Sequence, residues 1–104
     1  MGENKERVEI IKRKSIINKR INDLGVYKAN LARFKANQVK YITMCEESGK
    51  GSDFMRSWAE KRIEFLDAEM QSVDMEAKVL FREVSDIDAR LIELMELANS
   101  DLVL

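Results

Sequence analysis

The chain has no histidine, no proline, four glycines and a single cysteine, Cys45. Without histidine, the Ser-His and Cys-His systems that activate a nucleophile cannot form, and ordinary zinc sites lack their usual ligands. A lone thiol excludes an intrachain disulfide and fits a reducing compartment. We therefore predict a protein that is not an enzyme, with no catalytic residue, no metal site and no cofactor.

Long apolar runs are also missing. No stretch approaches the roughly 18 consecutive apolar residues that a membrane span requires. Three of the first six residues, Glu3, Lys5 and Glu6, are charged, and this segment lacks the apolar core of a secretory signal. From these absences we expect a soluble protein with no membrane contact, located in the cytoplasm or inside a larger assembly.

The residues that are present favour long helices. Hydrophobic residues make up 45% of the chain and charged residues 36%, and no proline is available to break a helix. The apolar residues are too numerous and too regularly spaced for a disordered chain. A length of 104 residues allows one domain at most, so we predict a single helical domain over residues 1–104.

One segment interrupts the helical pattern, and it reads Ser48-Gly49-Lys50-Gly51-Ser52-Asp53. Gly49 is expected at the position just after the first helix, and Ser52 or Asp53 is expected to cap the start of the second. We predict a helix over about 5–47, a loop over 48–52 and a helix over about 53–99. Gly25 is isolated inside the first helix and marks a point where that helix could bend.

The second predicted helix carries an uninterrupted apolar seam. Its members are separated by alternating steps of four and three residues: Ala59, Ile63, Leu66, Met70, Val73, Ala77, Leu80, Val84, Ile87, Leu91, Leu94 and Ala98. A repeat of 3.5 residues is typical of helices that supercoil around a neighbour with a left-handed twist. This seam is the clearest structural signal in the sequence.

The first predicted helix carries a less regular seam. Four of its apolar residues recur every seven positions: Ile10, Ile17, Leu24 and Leu31. Ile21 joins them early, and three aromatic residues, Tyr27, Phe34 and Tyr41, join later on the other flank. Alternate seam positions hold Lys14, Lys28 and Lys35. We therefore expect the stripe to shift sideways near Gly25, with long lysine stems along its edge.

A short glycine-containing loop between helices of similar length favours antiparallel neighbours. The charges support this pairing, because residues 1–50 carry 12 Lys and Arg against 6 Asp and Glu, whereas residues 51–104 carry 6 against 13. The expected neighbours are Lys35 with Asp67 and Glu69, Lys28 with Asp74, Arg20 with Glu83, and Lys14 with Asp88. The predicted fold is all-α, an antiparallel two-helix coiled-coil hairpin.

Two helices alone leave much apolar surface uncovered, which soluble monomers rarely tolerate. The predicted partner interface consists of Phe54, Trp58, Phe65, Val79, Phe81, Ile92 and Met95. We expect self-association or a protein partner to complete the hairpin as a helical bundle. The remaining alternative is a monomer whose helices fold back as three or more segments, with a break at Gly25.

The favoured function is protein–protein interaction or assembly, as a structural subunit, an adaptor or a small chaperone. The alternative is a nucleic-acid-associated or regulatory factor that uses a basic first helix. Its candidate phosphate contacts are Lys12, Arg13, Lys14, Lys19 and Arg20. The same cluster is also typical of a solvated helix face, or of one paired with the acidic second helix.

In length and hairpin plan the chain is similar to the small secreted WXG100 proteins. Their Trp-x-Gly tip is replaced here by Ser57-Trp58-Ala59-Glu60. The plan also looks like the antiparallel coiled-coil stalks and chaperones of flagellar and type III export systems, through periodicity alone. Neither likeness is supported by a motif, so no family is assigned on these grounds.

Overall fold

The structure is a computed structural model that describes residues 2–49, 51 and 53–103, with the side chains of residues 3 and 101–103 excepted. It contains two helices, α1 (Gly2–Ser48) and α2 (Asp53–Val103), and none of the described residues is in a strand. The helices contact each other extensively, which confirms the predicted all-α hairpin. Compared with the predicted limits, α1 begins a few residues earlier and α2 continues past residue 99.

The end of α1 follows the expected glycine chemistry. Gly49 has a φ of 65°, and its N–H donates a hydrogen bond of 3.1 Å to the carbonyl oxygen of Cys45. This is the usual way in which a left-handed residue ends a helix, and glycine adopts that conformation without a steric penalty. The prediction for Gly49 is therefore confirmed. Of the two predicted capping residues, Asp53 is the first residue of α2, and Ser52 lies outside the described residues.

Gly25 does not interrupt α1, which is helical on both sides of it. A single glycine costs a helix only about 1 kcal/mol relative to alanine, which is too little to break one held by packing along its length. The alternative of a monomer with three or more helical segments, broken at Gly25, is therefore wrong.

Contacts within the chain divide it into two units. The terminal unit comprises Met1–Asp23 and Ala77–Leu104, and the loop unit comprises Leu24–Glu76. In the terminal unit, the buried apolar side chains are Ile17 and Leu94. In the loop unit they are Leu24, Leu31, Ala59, Leu66 and Val73. Each of these residues belongs to a predicted seam, so the apolar core of both units follows the 3.5-residue repeat.

The seam of α2 is confirmed, because every predicted member except Ala98 is buried or half-buried. The sideways shift predicted for α1 is wrong for Tyr27 and Phe34, although Tyr41, the third aromatic residue of that prediction, is half-buried. Lys28 and Lys35 keep the seam positions and are half-buried, whereas the side chains of Tyr27 and Phe34 are 44% and 56% exposed. The lysine stems cover the seam edge while their ammonium groups reach carboxylates on α2, and this leaves the aromatic rings outside.

Ion pairs join the two helices within each unit. In the terminal unit, Lys14 pairs with Asp88 at 2.6 Å, Arg13 with Glu83 at 2.9 Å, and Arg90 with Glu6 at 2.8 Å. In the loop unit, Lys28 pairs with Asp74 at 2.7 Å, Lys35 with Asp67 at 2.7 Å, and Arg56 with Glu46 at 2.6 Å. Three of the predicted neighbours are thus confirmed. Glu83, which was expected near Arg20, accepts its hydrogen bonds from Arg13.

Candidate protein-interaction surfaces

One face of the loop unit is lined by exposed aromatic rings. We call this set the aromatic surface, and it consists of Tyr27, Phe34, Phe54, Trp58 and Phe65. On α2, Phe54, Trp58 and Phe65 are four and seven residues apart, a spacing that places side chains on the same side of a helix. Phe54 is 76% exposed and Phe65 is 61% exposed, although both are large apolar residues.

The two helices contribute to the same flank of the loop unit. The hydroxyl of Tyr27 donates a hydrogen bond of 3.0 Å to Oε2 of Glu69. Glu69 lies one turn after Phe65 on α2, and Phe34 lies seven residues after Tyr27 on α1, so all four side chains follow one flank of the seam. This hydrogen bond raises the pKa of Tyr27 above its ordinary value, because ionisation would place a phenolate beside the Glu69 carboxylate.

A shallow groove lies within the aromatic surface. Its volume is about 250 Å³, and it is lined by Trp58, Lys61, Arg62 and Phe65. The guanidinium carbon of Arg62 lies 5.6 Å from the centroid of the Trp58 ring, within the range of a cation–π interaction. This contact orients the indole while leaving it 48% exposed, so the groove presents an aromatic wall and two cations to an incoming molecule.

A second apolar set lies in the terminal unit, beside the ion pair of Lys14 and Asp88. We call it the terminal surface: Ile11, Phe81, Ile92 and Met95, all about half exposed. Phe81 and Met95 lie seven residues before and after Asp88, so they share its flank of α2. Val79 is 61% exposed but lies one turn before Glu83, on the opposite flank of the seam.

All seven residues of the predicted partner interface are exposed apolar side chains. They are divided between the two units. Phe54, Trp58 and Phe65 belong to the loop unit, whereas Val79 stands apart from Phe81, Ile92 and Met95 in the terminal unit. Sequence reasoning missed Tyr27 and Phe34 as surface residues, because their seven-residue spacing suggested the seam. Their position on the flank follows from the half-buried seam position of the adjacent Lys28 and Lys35, which only the structure shows.

The predicted nucleic-acid contacts are only partly available. The guanidinium of Arg13 and the ammonium of Lys14 are engaged by Glu83 and Asp88, and Arg20 also interacts within the chain. Lys12 and Lys19 are exposed and have no carboxylate partner among the described side chains. The intramolecular pairing expected as one explanation of the basic cluster therefore holds for Arg13 and Lys14.

Other kinds of site have little support in the described part of the chain. Residues 2–49, 51 and 53–103 contain no group of three or more Cys, Asp and Glu side chains placed to hold a metal ion. Neither helix, over its described residues, contains a segment long and apolar enough to cross a membrane.

Comparison with known proteins adds no relative, since no family model, no curated protein and no solved structure matches this chain.

Proposed function

We propose that this chain is a non-enzymatic protein-interaction module, acting as a structural subunit, adaptor or small chaperone whose aromatic surface is covered by protein in the working state. The observation that carries the proposal is the exposure of four large aromatic side chains and Tyr27 on one flank of the loop unit. Aromatic residues and arginine are enriched at protein interfaces, and Trp, Tyr and Arg are enriched among the residues that contribute most of the binding energy.

The exposed area supports the same conclusion. The chain has an accessible surface of 8209 Å². A compact monomer of 12.1 kDa would expose only about 6,000 Å². The difference exceeds the roughly 800 Å² that each partner buries in a standard interface. Large apolar side chains such as Phe54 and Phe65 are among the exposed residues, and burial of apolar surface against a partner is favourable by about 25 cal/mol per Å².

The nucleic-acid alternative has weaker support. Two of its five candidate cations are held by carboxylates of α2, and binding a phosphate through them would require breaking those ion pairs. Lys12 and Lys19 alone offer two charges seven residues apart, and affinity for nucleic acid grows with the number of phosphates contacted. Reversing the charge of Lys12 and Lys19 should therefore leave assembly unchanged.

The proposal is tested by two measurements on the full chain: its mass by light scattering, and the set of proteins that co-purify with it from its native host. Trp58→Ala and Phe65→Ala should lower the mass or remove a stoichiometric partner, while the helical circular dichroism is retained. Met75→Ala is the matched control, because Met75 is 70% exposed in the same unit but is not part of the aromatic surface. If both aromatic variants keep the wild-type mass and partners, the proposal is wrong.

A further inference from the structure

The aromatic surface has a charge pattern that limits what can cover it. On α2, the cations Lys61 and Arg62 precede Phe65 by four and three residues, and the carboxylate of Glu69 follows Phe65 by four. Trp58 lies seven residues before Phe65, and Ser72 lies seven residues after it. The surface therefore has a bulky indole ring on the N-terminal side of Phe65 and a small hydroxyl at the equivalent distance on its C-terminal side. The α2 part of the surface is therefore divided at Phe65 into a half with two cations and a bulky ring and a half with a carboxylate and a small hydroxyl.

A surface of this kind complements itself when it is rotated by half a turn. In a two-fold dimer both subunits use the same patch. If a residue of the first subunit contacts a given residue of the second, the same two residues are also in contact with the subunits exchanged. With α2 antiparallel to its copy and Phe65 near the axis, Arg62 of each chain faces Glu69 of the other. Trp58 of each chain then lies over Ser72 of the other, where a small side chain leaves room for the indole.

We propose that the aromatic surface binds a second copy of this chain, with α2 packed antiparallel against α2 of that copy about Phe65. This rests on the proposed function and names the partner of the same surface. A parallel arrangement would place Arg62 against Arg62 and Glu69 against Glu69, and like charges in contact disfavour it. The half with the carboxylate also disfavours nucleic acid as the occupant, because Glu69 would repel its phosphates.

The existing contacts of these residues are compatible with the dimer. Arg62 lies over the Trp58 ring, and among the described side chains it is in no ion pair. Glu69 accepts one hydrogen bond through Oε2, from Tyr27, and a carboxylate can accept several more. Formation of the intersubunit pair therefore requires no contact within the chain to be broken.

Charge reversal tests the arrangement directly. Sedimentation equilibrium of the wild-type chain should show a monomer–dimer equilibrium. Arg62→Glu alone, or Glu69→Arg alone, converts two attractive pairs into two repulsive ones and should raise the dimer dissociation constant roughly tenfold or more. An equimolar mixture of the two variants should dimerise with nearly wild-type affinity, because the antiparallel heterodimer regains both attractive pairs. The loss of affinity in the single variants reports the direction of the helices, because a parallel dimer would contain two like-charge contacts both before and after either substitution.

Matched controls separate this effect from a general change of charge. Arg82→Glu and Glu64→Arg reverse exposed charges of the same types on α2, away from the aromatic surface, and should leave the dissociation constant unchanged. Phe65→Asp places two carboxylates together at the axis and should abolish the dimer, whereas Met75→Asp should not. Circular dichroism of each variant shows whether the helices are retained.

Several results would overturn the second copy as the occupant. These are a wild-type chain that remains monomeric at millimolar concentration, a mixture that dimerises no better than its components, or a nucleic acid or other protein that occupies the surface in place of the copy. A monomer that loses its host partners on Trp58→Ala would reject the dimer but retain the proposed function. A chain whose mass and partners are insensitive to both Trp58→Ala and Phe65→Ala would reject the dimer and the proposed function together.

Discussion

The ammonium nitrogen of Lys35 on α1 lies 2.7 Å from Oδ1 of Asp67 on α2. One heptad further along the hairpin, the ammonium nitrogen of Lys28 lies at the same distance, 2.7 Å, from Oδ1 of Asp74. In both pairs, as in Lys14 and Asp88, the residue numbers add to 102, as a constant antiparallel register requires. Each of these lysines, in a seam position of α1, thus pairs its ammonium group with a carboxylate that flanks the seam of α2. This arrangement fixes the direction and register of the helices and leaves Tyr27 and Phe34 exposed.

The first prediction concerns the strength of these pairs. All of their side chains are more than a third exposed, so each pair should contribute only about 0–1 kcal/mol to stability. A double-mutant cycle with Lys35→Ala and Asp67→Ala, measured by urea unfolding, should give a coupling energy in this range that decreases as salt is added. A salt-independent coupling energy of several kcal/mol would contradict this prediction, in which the ion pairs specify the register of the helices but contribute little to stability.

The second prediction concerns the core of the loop unit. Leu66 is 5% exposed, so Leu66→Ala should cost about 2–5 kcal/mol through lost burial and the cavity it leaves. Met75 is 70% exposed, and Met75→Ala should change the free energy of unfolding by less than about 0.5 kcal/mol. Urea unfolding of both variants at one protein concentration measures the difference, and equal effects would show that the seam does not form the core.

The third prediction compares two glycines. A Cβ added at Gly25 would meet no atom within 4 Å, so Gly25→Ala should stabilise α1 by about 0.5–1 kcal/mol. A Cβ added at Gly51 would lie 2.8 Å from the Cβ of Cys45, closer than such atoms approach, so Gly51→Ala should destabilise the loop end of the hairpin. Thermal unfolding of the two variants should shift in opposite directions, and shifts of the same sign would show that the loop is packed differently.

The fourth prediction concerns pH and the pair of Glu6 and Arg90. The hydrogen bond donated by Arg90 is the main reason that the pKa of Glu6 is lowered from its ordinary value of 4.5. Because the folded-state pKa lies below the unfolded-state value, this stabilisation is present above about pH 4.5 and is lost as the pH falls through the folded-state pKa.

The variant Glu6→Gln isolates this contribution. At neutral pH it should be less stable than the wild type, and the difference in thermal midpoint should vanish once the pH lies below the lowered pKa. Glu9→Gln provides a control, because Glu9 is exposed on the same helix and is in no ion pair among the described residues. A difference between Glu6→Gln and the wild type that persists unchanged at pH 2 would exclude the pair as its source.

Much of the fold could be predicted from the sequence because local signals agree with one another. The regular steps from Ala59 to Leu94, the glycine at position 49 and the opposite charges of the two halves all indicate the same antiparallel hairpin. The placement of Tyr27 and Phe34 could not be predicted in this way. Apolar spacing alone does not show whether an aromatic ring or the stem of a lysine takes the seam, because that depends on the carboxylate available on the other helix.

The sequence predicts which residues line the candidate interaction surfaces, but it does not predict how those residues are grouped. Phe54, Trp58 and Phe65 lie off the seam by spacing alone, and their exposure agrees with that prediction. Helical spacing treats Val79 as a continuation of the same face, whereas in the structure it belongs to the terminal unit and lies on the opposite flank from Phe81. The identity of the molecule that covers each patch depends on the charges around that patch. Those neighbouring charges can be identified only when the register of the two helices is known.

Trp58 is the only tryptophan, and its fluorescence reports directly whether the aromatic surface is covered. The most direct measurement is the quenching of this fluorescence by acrylamide over a concentration series of the pure chain, with the mass followed in parallel. If a second copy covers the surface, quenching should fall as the concentration rises, in step with dimer formation, and should not fall for Phe65→Asp. Quenching that stays equally strong at every concentration would contradict the proposed dimer. It would mean either that no dimer forms or that Trp58 remains open to solvent in the dimer.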